Sequence, residues 1–344
     1  MTNPELFQRP IVKMVSNKIA IATVSLGQHA THTLDQKILA AAQHGFAGIE
    51  LVYPDLSAYA ETNNLSISTA AETIKELCAN HKLAIVSLAP FENFEGSSTP
   101  LEKRLETAKH WVGIARKLGA LYLQIPSHYK AEESAGDEAL RISDLQKLAD
   151  IGSAEQPVVS IAYEALSWGT YYSTWEDSLY VVEQVSRSNF GLCLDNFHVI
   201  TKLWASPFEA SGKLPNADND LAQSLRRFKD HCPLDKIFYL QFSDGERFDP
   251  PFSNKHPWYL QGEAPEFTWS KHARPFPLES ELGGYMPVVD VARTWIVDAG
   301  FEGWVSLEVF DRRMREEGFS VETAARRGIE SWGKLKVELE KTSL

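Results

Sequence analysis

A closed (β/α)8 barrel is the fold this sequence predicts, on three observations. Eight short apolar runs recur along the chain, separated by segments of helical pattern. The runs are apolar almost throughout rather than alternating, as expected of parallel strands covered on both faces. Eight such units suit a closed barrel, whereas an open doubly wound sheet usually has roughly five to seven strands.

The elements follow in order. Residues 1–17 are polar and form an N-terminal extension, and the first strand is KIAIATV (18–24). The second and third are AGIELVY (47–53) and LAIVSLA (83–89). The third helix has a clear start, with Thr99 as N-cap, Pro100 at the first helical position and Glu102 closing a capping box. Gly119 stops it, and ALYLQIP (120–126) is strand four. Strand five is VVSIAYE (158–164), and the helix after it starts with Ser173 and Glu176, three apart. Strand six, GLCLD (191–195), leads into a long connection over 199–220. Strand seven, KIFYLQF (236–242), leads into a longer one over 243–285, rich in Pro, Trp and Phe. Long ordered connections of this kind build a pocket or a lid. A helix from Pro287 to Gly300, strand eight as WVSLEVF (304–310) and a last helix over about 320–340 complete the barrel wall. No repeat, low-complexity tract or linker divides the chain, so residues 1–344 read as one domain.

Bulk properties narrow the function. With 344 residues, 44% of them hydrophobic, the chain can bury a large core. A net charge of −12 without a basic run argues against nucleic acid and against anionic membrane, and leaves a small-molecule substrate. No stretch approaches the roughly 18 apolar residues of a membrane span. Cys78, Cys193 and Cys232 are odd in number and form no CxxC, which suggests neither a disulfide framework nor a thiolate zinc site. With a polar N-terminus, this points to the cytoplasm. No GxGxxG follows the first strand, so no nucleotide cofactor is expected. The oligomeric state stays open, a homodimer included.

Four polar residues end strand-like runs: Glu164, Asp195, Gln241 and Glu308. Side chains alternate faces along a strand. Ser160, Ala162 and Glu164 then share the inner face, as do Gly191, Cys193 and Asp195. Phe238 and Leu240 face out while Gln241 faces in, and Ser306 and Glu308 face in against Val305 and Leu307. Neighbouring strands lie about 4.8 Å apart, so the four tips can converge at the carboxyl end of the barrel, where such folds place their chemistry. Three carboxylates and an amide suit one hard divalent cation, Mg2+, Mn2+ or Co2+, with Zn2+ tolerable. Without a cation the carboxylates would repel one another.

His198 stands three residues after Asp195, just beyond the strand, where an imidazole can act as general acid or base. Arg274, in the long connection before strand eight, can grip a substrate carboxylate with two parallel hydrogen bonds. His256 in the same connection, Glu92 after strand three and Ser127 after strand four are further candidate substrate contacts. Tyr53, Phe91, Trp168 and Phe197 lie at strand ends and could wall a flat ring, though core packing is the commoner role.

YEAL, CLDNFH, LQFSDG and SLEVF together resemble the xylose-isomerase-like TIM barrel superfamily, over essentially the whole chain. Within it the combination is most similar to the 3-dehydroshikimate dehydratases of fungal quinate catabolism. The stretch RPFPLESELGGYMP resembles their Arg-x-x-Pro-Gly-x-Gly region, departing from it at Leu278 and Glu279. The resemblance implies metal-dependent conversion of 3-dehydroshikimate to protocatechuate and water through a metal-stabilised enolate. His198 would be the base and would return a proton to the departing hydroxyl, and Arg274 would hold the substrate carboxylate. Related sugar epimerases share the metal set and the histidine after the aspartate. A ketose epimerase or sugar isomerase, using Glu164 and Glu308 as acid and base, is therefore the alternative.

Overall fold

The structure, a computed structural model, describes residues 15–134 and 136–341. Eight parallel strands close into a barrel: β1 (Ile19–Ala22), β2 (Gly48–Val52), β3 (Ala84–Ala89), β4 (Tyr122–Pro126), β5 (Ser160–Glu164), β6 (Phe190–Asp195), β7 (Ile237–Phe242) and β8 (Trp304–Leu307). Closure is direct, with Ile19, Ala20 and Ile21 of β1 in register with Val305, Ser306 and Leu307 of β8. Most of the 1–17 segment lies outside the described residues. Its end is already part of the barrel: Val15 is buried, and Asn17 donates to the carbonyls of Phe301 and Gly303 at 3.0 Å each.

Two apolar layers follow from the strand parity. A small inner one is filled by Ala20, Val86, Ala162, Cys193 and Tyr239. The large outer one joins Ile161, Leu192, Leu240 and Val305 to the helices. Phe238 corrects the simple alternation. The β6–β7 pairing jumps from Leu192↔Ile237 to Cys193↔Tyr239, a bulge that brings Phe238 in beside Tyr239. Phe238 stacks on Tyr122 at 4.9 Å. Gly191 gives it room, since a Cβ there would lie 2.6 Å from the Phe238 ring.

Helix boundaries shift slightly from expectation. Helix α4 (Leu101–Leu118) has Pro100 rather than Thr99 at its N-cap, and no side chain caps it. The Thr99 carbonyl instead accepts from Arg104 Nε at 2.8 Å. Gly119 ends the helix in the left-handed conformation, as expected. Helix α6 (Trp175–Val185) begins one residue later than predicted, with Thr174 and Asp177 forming the capping box. The last helix, α11 (Val321–Glu340), covers the wall. It carries Gly328 because a Cβ would meet Ile21, Phe276 and Phe46, each at 3.2 Å. No helix among the described residues is long and apolar enough to cross a membrane.

The two long connections are ordered around the barrel mouth. Helix α7 (Asn196–Leu203) starts directly at the end of β6. The 243–285 segment carries helix α9 (Pro265–His272) and a two-residue strand, Ala273–Arg274. That strand pairs antiparallel with Phe310–Asp311, just after β8, so strand eight stops short of the predicted 310. Buried Asp244 gathers the segment by accepting from the backbone nitrogens of Gly245, Leu278, Tyr285 and Met286. Leu278 has φ 63, the left-handed region that glycine occupies without strain.

Candidate active site

Three side chains converge at the carboxyl end of the barrel. Glu164 ends β5. Asp195 ends β6 and caps α7, accepting from Phe197 N at 2.8 Å. His198 sits in the first turn of α7, which turns the ring back over the strand ends. His198 Nε2 lies 3.4 Å from Glu164 Oε1 and 3.6 Å from Asp195 Oδ2. All three residues are buried, and one donor atom from each falls within 4.8 Å of the others. A group of this kind could hold a metal ion.

The electrostatics are strained. Burial, and then repulsion from Asp195, push the Glu164 carboxyl well above the ordinary carboxylate range. Glu308, just beyond β8, is raised likewise by burial, against the pull of Arg274. Burial pushes His198 down to about 4, so its ring is neutral near pH 7. His198 Nδ1 accepts from Ser167 N at 3.1 Å. The proton of the neutral imidazole is therefore on Nε2, facing the carboxylates.

Gln241 lies deeper, level with Ser306 and two residues below Glu308. Its Oε1 accepts from Cys193 Sγ at 3.1 Å. Its Nε2 donates to both oxygens of Glu50, at 3.2 and 3.1 Å. Glu50, in β2, was missed by sequence reasoning, as was Gln124 in β4, which donates through Nε2 to Glu164 Oε2. Both stand two residues before a strand end and point inward. The available signal is a lone polar residue at inward parity inside an apolar run.

Arg274 is almost wholly buried and its hydrogens are largely committed. Nη2 donates to Asp195 Oδ2 at 2.6 Å and to the Glu308 carbonyl at 3.1 Å. Nε and Nη1 donate to the hydroxyls of Ser243 and Ser270, at 3.0 and 3.2 Å. Of five N–H donors, one on Nη1 remains. A two-pronged grip on a substrate carboxylate is therefore not what this geometry offers. The guanidinium serves as the counter-charge of Asp195 and stacks over Phe197 at 4.3 Å.

A cavity of about 370 Å³ opens above these residues. Glu164, His198, Arg274 and Glu308 line it, with Gln124 and Glu92 among their neighbours. Trp168 and Phe267, stacked at 5.1 Å, form part of its wall, and Phe267 comes from α9 of the long connection. Glu92 accepts from Tyr129 OH at 2.9 Å. Two expected contacts do not line the cavity. Ser127 is fully buried, its Oγ accepting from Leu166 N at 3.0 Å, and it ties the ends of β4 and β5 together. His256 stacks on Phe248 at 5.1 Å within the aromatic cluster of the long connection. Residues outside regular elements have no parity rule, so the sequence could not place them.

The model of the family described as xylose isomerase-like TIM barrel matches residues 38–335. The chain is 39% identical over 339 residues to a 3-dehydroshikimate dehydratase of Neurospora crassa, covering 94% of each. It is 30% identical over 299 residues to a 3-dehydroshikimate dehydratase of Pseudomonas aeruginosa, covering 86% of this chain and 38% of that protein. Among solved structures, the IOLI protein with a binding zinc atom superposes with a TM-score of 0.68 at 19% identity, over 94% of this chain and 99% of that one.

Proposed function

The chain belongs to the xylose isomerase-like TIM barrel family, and from that premise we propose that it is a metal-dependent 3-dehydroshikimate dehydratase, forming protocatechuate and water. The carrying observation is the end-to-end similarity to the Neurospora crassa dehydratase, 39% identical over 94% of both chains. The Glu164, Asp195 and His198 group, of which Glu164 and His198 line the cavity, is the chemistry that reading needs.

The donor set fits a cation. Glu164 Oε1 is buried with no hydrogen-bond donor among the described residues, and the carboxyls of Glu164 and Glu308 are held far from their preferred charge state. One positive ion relieves both conditions. Glu164, Asp195 and Glu308 would hold it, Gln241 would join by turning its carbonyl oxygen away from Cys193 Sγ, and oxygen donors favour Mg2+, Mn2+ or Co2+. When bound, such an ion supplies Lewis-acid stabilisation to the keto oxygen of the substrate as its α-proton leaves.

The residues divide the remaining work. His198 presents Nε2–H to the cavity floor, and in this tautomer it can donate a hydrogen bond to an oxygen of the substrate. To act as base its proton must sit on Nδ1, with Ser167 Oγ at 3.4 Å as the acceptor, which leaves Nε2 free to take the α-proton and then return it to the departing hydroxyl. Arg274 contributes its one remaining Nη1 hydrogen to the substrate carboxylate and keeps Asp195 in place. Glu92 borders the substrate at the rim. Trp168 and Phe267 flank the ring that becomes aromatic. Ser127 and His256 act through the loops they support. The chain works as one domain, and the cytoplasm suits three cysteines that are all buried and unpaired.

The test is incubation of purified protein and Mg2+ with 3-dehydroshikimate while catechol absorbance is followed in the ultraviolet. A chelator-sensitive rise is the expected result. Silence with 3-dehydroshikimate, together with epimerisation of a ketose, would transfer the assignment to the epimerases.

A further inference from the structure

We propose that Gln124 is a substrate-contacting residue, its amide nitrogen holding Glu164 and its carbonyl oxygen taking a hydroxyl hydrogen of the ligand. The inference rests on the dehydratase reading, because it names which atom receives one hydroxyl of that substrate class.

Gln124 lies in β4, paired across to Ala162 of β5, and is 2% exposed. It nevertheless lines the cavity. Its amide cannot turn freely. Nε2 donates to Glu164 Oε2, and with a cation on Glu164 Oε1 that carboxyl is ionised and accepts only, so exchanging the amide nitrogen and oxygen would set oxygen against oxygen. The carbonyl oxygen is thereby fixed, and it has no donor among the described residues. A buried acceptor without a donor is costly to fold, and native structures keep one where a ligand or water completes it.

The neighbouring groups narrow what completes it. Glu164 Oε1 also lacks a donor and belongs to the candidate cation site. His198 Nε2–H faces Glu164 and Asp195. A ligand hydroxyl beside the keto group can donate to Gln124 Oε1, whereas a carboxylate or an apolar edge cannot. Gln124 then favours vicinal oxygenation on the ring, a preference separate from recognition of the carboxylate.

The test uses Mn2+-loaded protein and calorimetric binding of 3,4-dihydroxybenzoate and its 3-hydroxy and 4-hydroxy counterparts. The wild-type protein should bind the dihydroxy compound about tenfold more tightly than at least one monohydroxy compound, the weight of one buried hydrogen bond. Gln124→Met, which keeps length and volume, should lose that preference. Persistence of the preference in the variant, or its absence in the wild type, overturns the inference. Should the variant fail to fold, a crystal structure of the wild type with 3,4-dihydroxybenzoate decides: Oε1 within about 3 Å of a ligand hydroxyl supports the contact, and Oε1 away from every ligand hydroxyl refutes it. Wild-type turnover of 3-dehydroshikimate separates the two failures. With turnover present and no preference, only the Gln124 contact falls; with no turnover, the dehydratase reading falls with it.

Discussion

Replacing Arg274 with methionine should make the stability of the protein depend on divalent cations. The guanidinium donates to Asp195 Oδ2 at 2.6 Å and approaches Glu308 Oε2 to 3.5 Å, and the arginine and aspartate side chains are 1% and 0% exposed. Methionine keeps the apolar stem and removes the charge. Deleting one partner of a buried pair costs about 3–5 kcal/mol, because the remaining charge is stranded. For 344 residues the unfolding entropy is roughly 0.7 kcal/mol/K, so the expected loss is about 4–7 °C in chelator. Mn2+ would neutralise the same carboxylates, so saturating Mn2+ should return most of that loss. The assay is a thermal melt of both proteins in EDTA and in a Mn2+ series. A variant that melts within about 1 °C of the parent in EDTA, or gains no more from Mn2+ than the parent does, refutes the reasoning; such a shift corresponds to under about 1 kcal/mol.

Three further outcomes are expected. His198→Ala should lower turnover by about 10²–10⁴-fold, the usual weight of a general acid–base group, with Mn2+ affinity unchanged; activity within about tenfold of the parent removes the role. Glu164→Gln and Asp195→Asn should each weaken Mn2+ binding measured by calorimetry, and an unaltered affinity takes that residue out of the ligand set. Glu95, wholly buried and accepting from His128 N and Tyr163 OH, is pushed by burial from 4.5 up to about 7. The folded state thus holds a proton that the unfolded state has lost, and stability contributed by Glu95 falls as pH rises from about 4.5 to about 7, by roughly 3 kcal/mol in all. Glu95→Gln should flatten that part of the stability–pH curve, and identical slopes in chemical denaturation would contradict it.

The strands were legible because burial on both faces leaves each as an apolar run, and all eight fall within a few residues of the predicted bounds. Parity also placed Glu164, Cys193 and Gln241 correctly relative to the inner layer. It failed at Phe238, because a one-residue bulge in β7 resets the alternation and leaves no mark in composition. Glu50 and Gln124 lie inside their strands, each two residues before the end, where a lone inward polar residue is a weaker signal than one at the barrel mouth. The partners of Arg274 depend on a two-residue strand formed with Phe310–Asp311, a pairing 36 residues away that local pattern does not encode. Ser127 and His256 are loop residues, whose side chains follow tertiary packing rather than any period.

The most direct measurement is anomalous diffraction from crystals of the protein grown with Mn2+. The account predicts one strong peak between the Glu164 and Asp195 carboxylates, at roughly 2.0–2.3 Å from an oxygen of each, in the range for small divalent ions. Peaks confined to the surface, or carboxylates left paired only with Arg274 in saturating Mn2+, would contradict it.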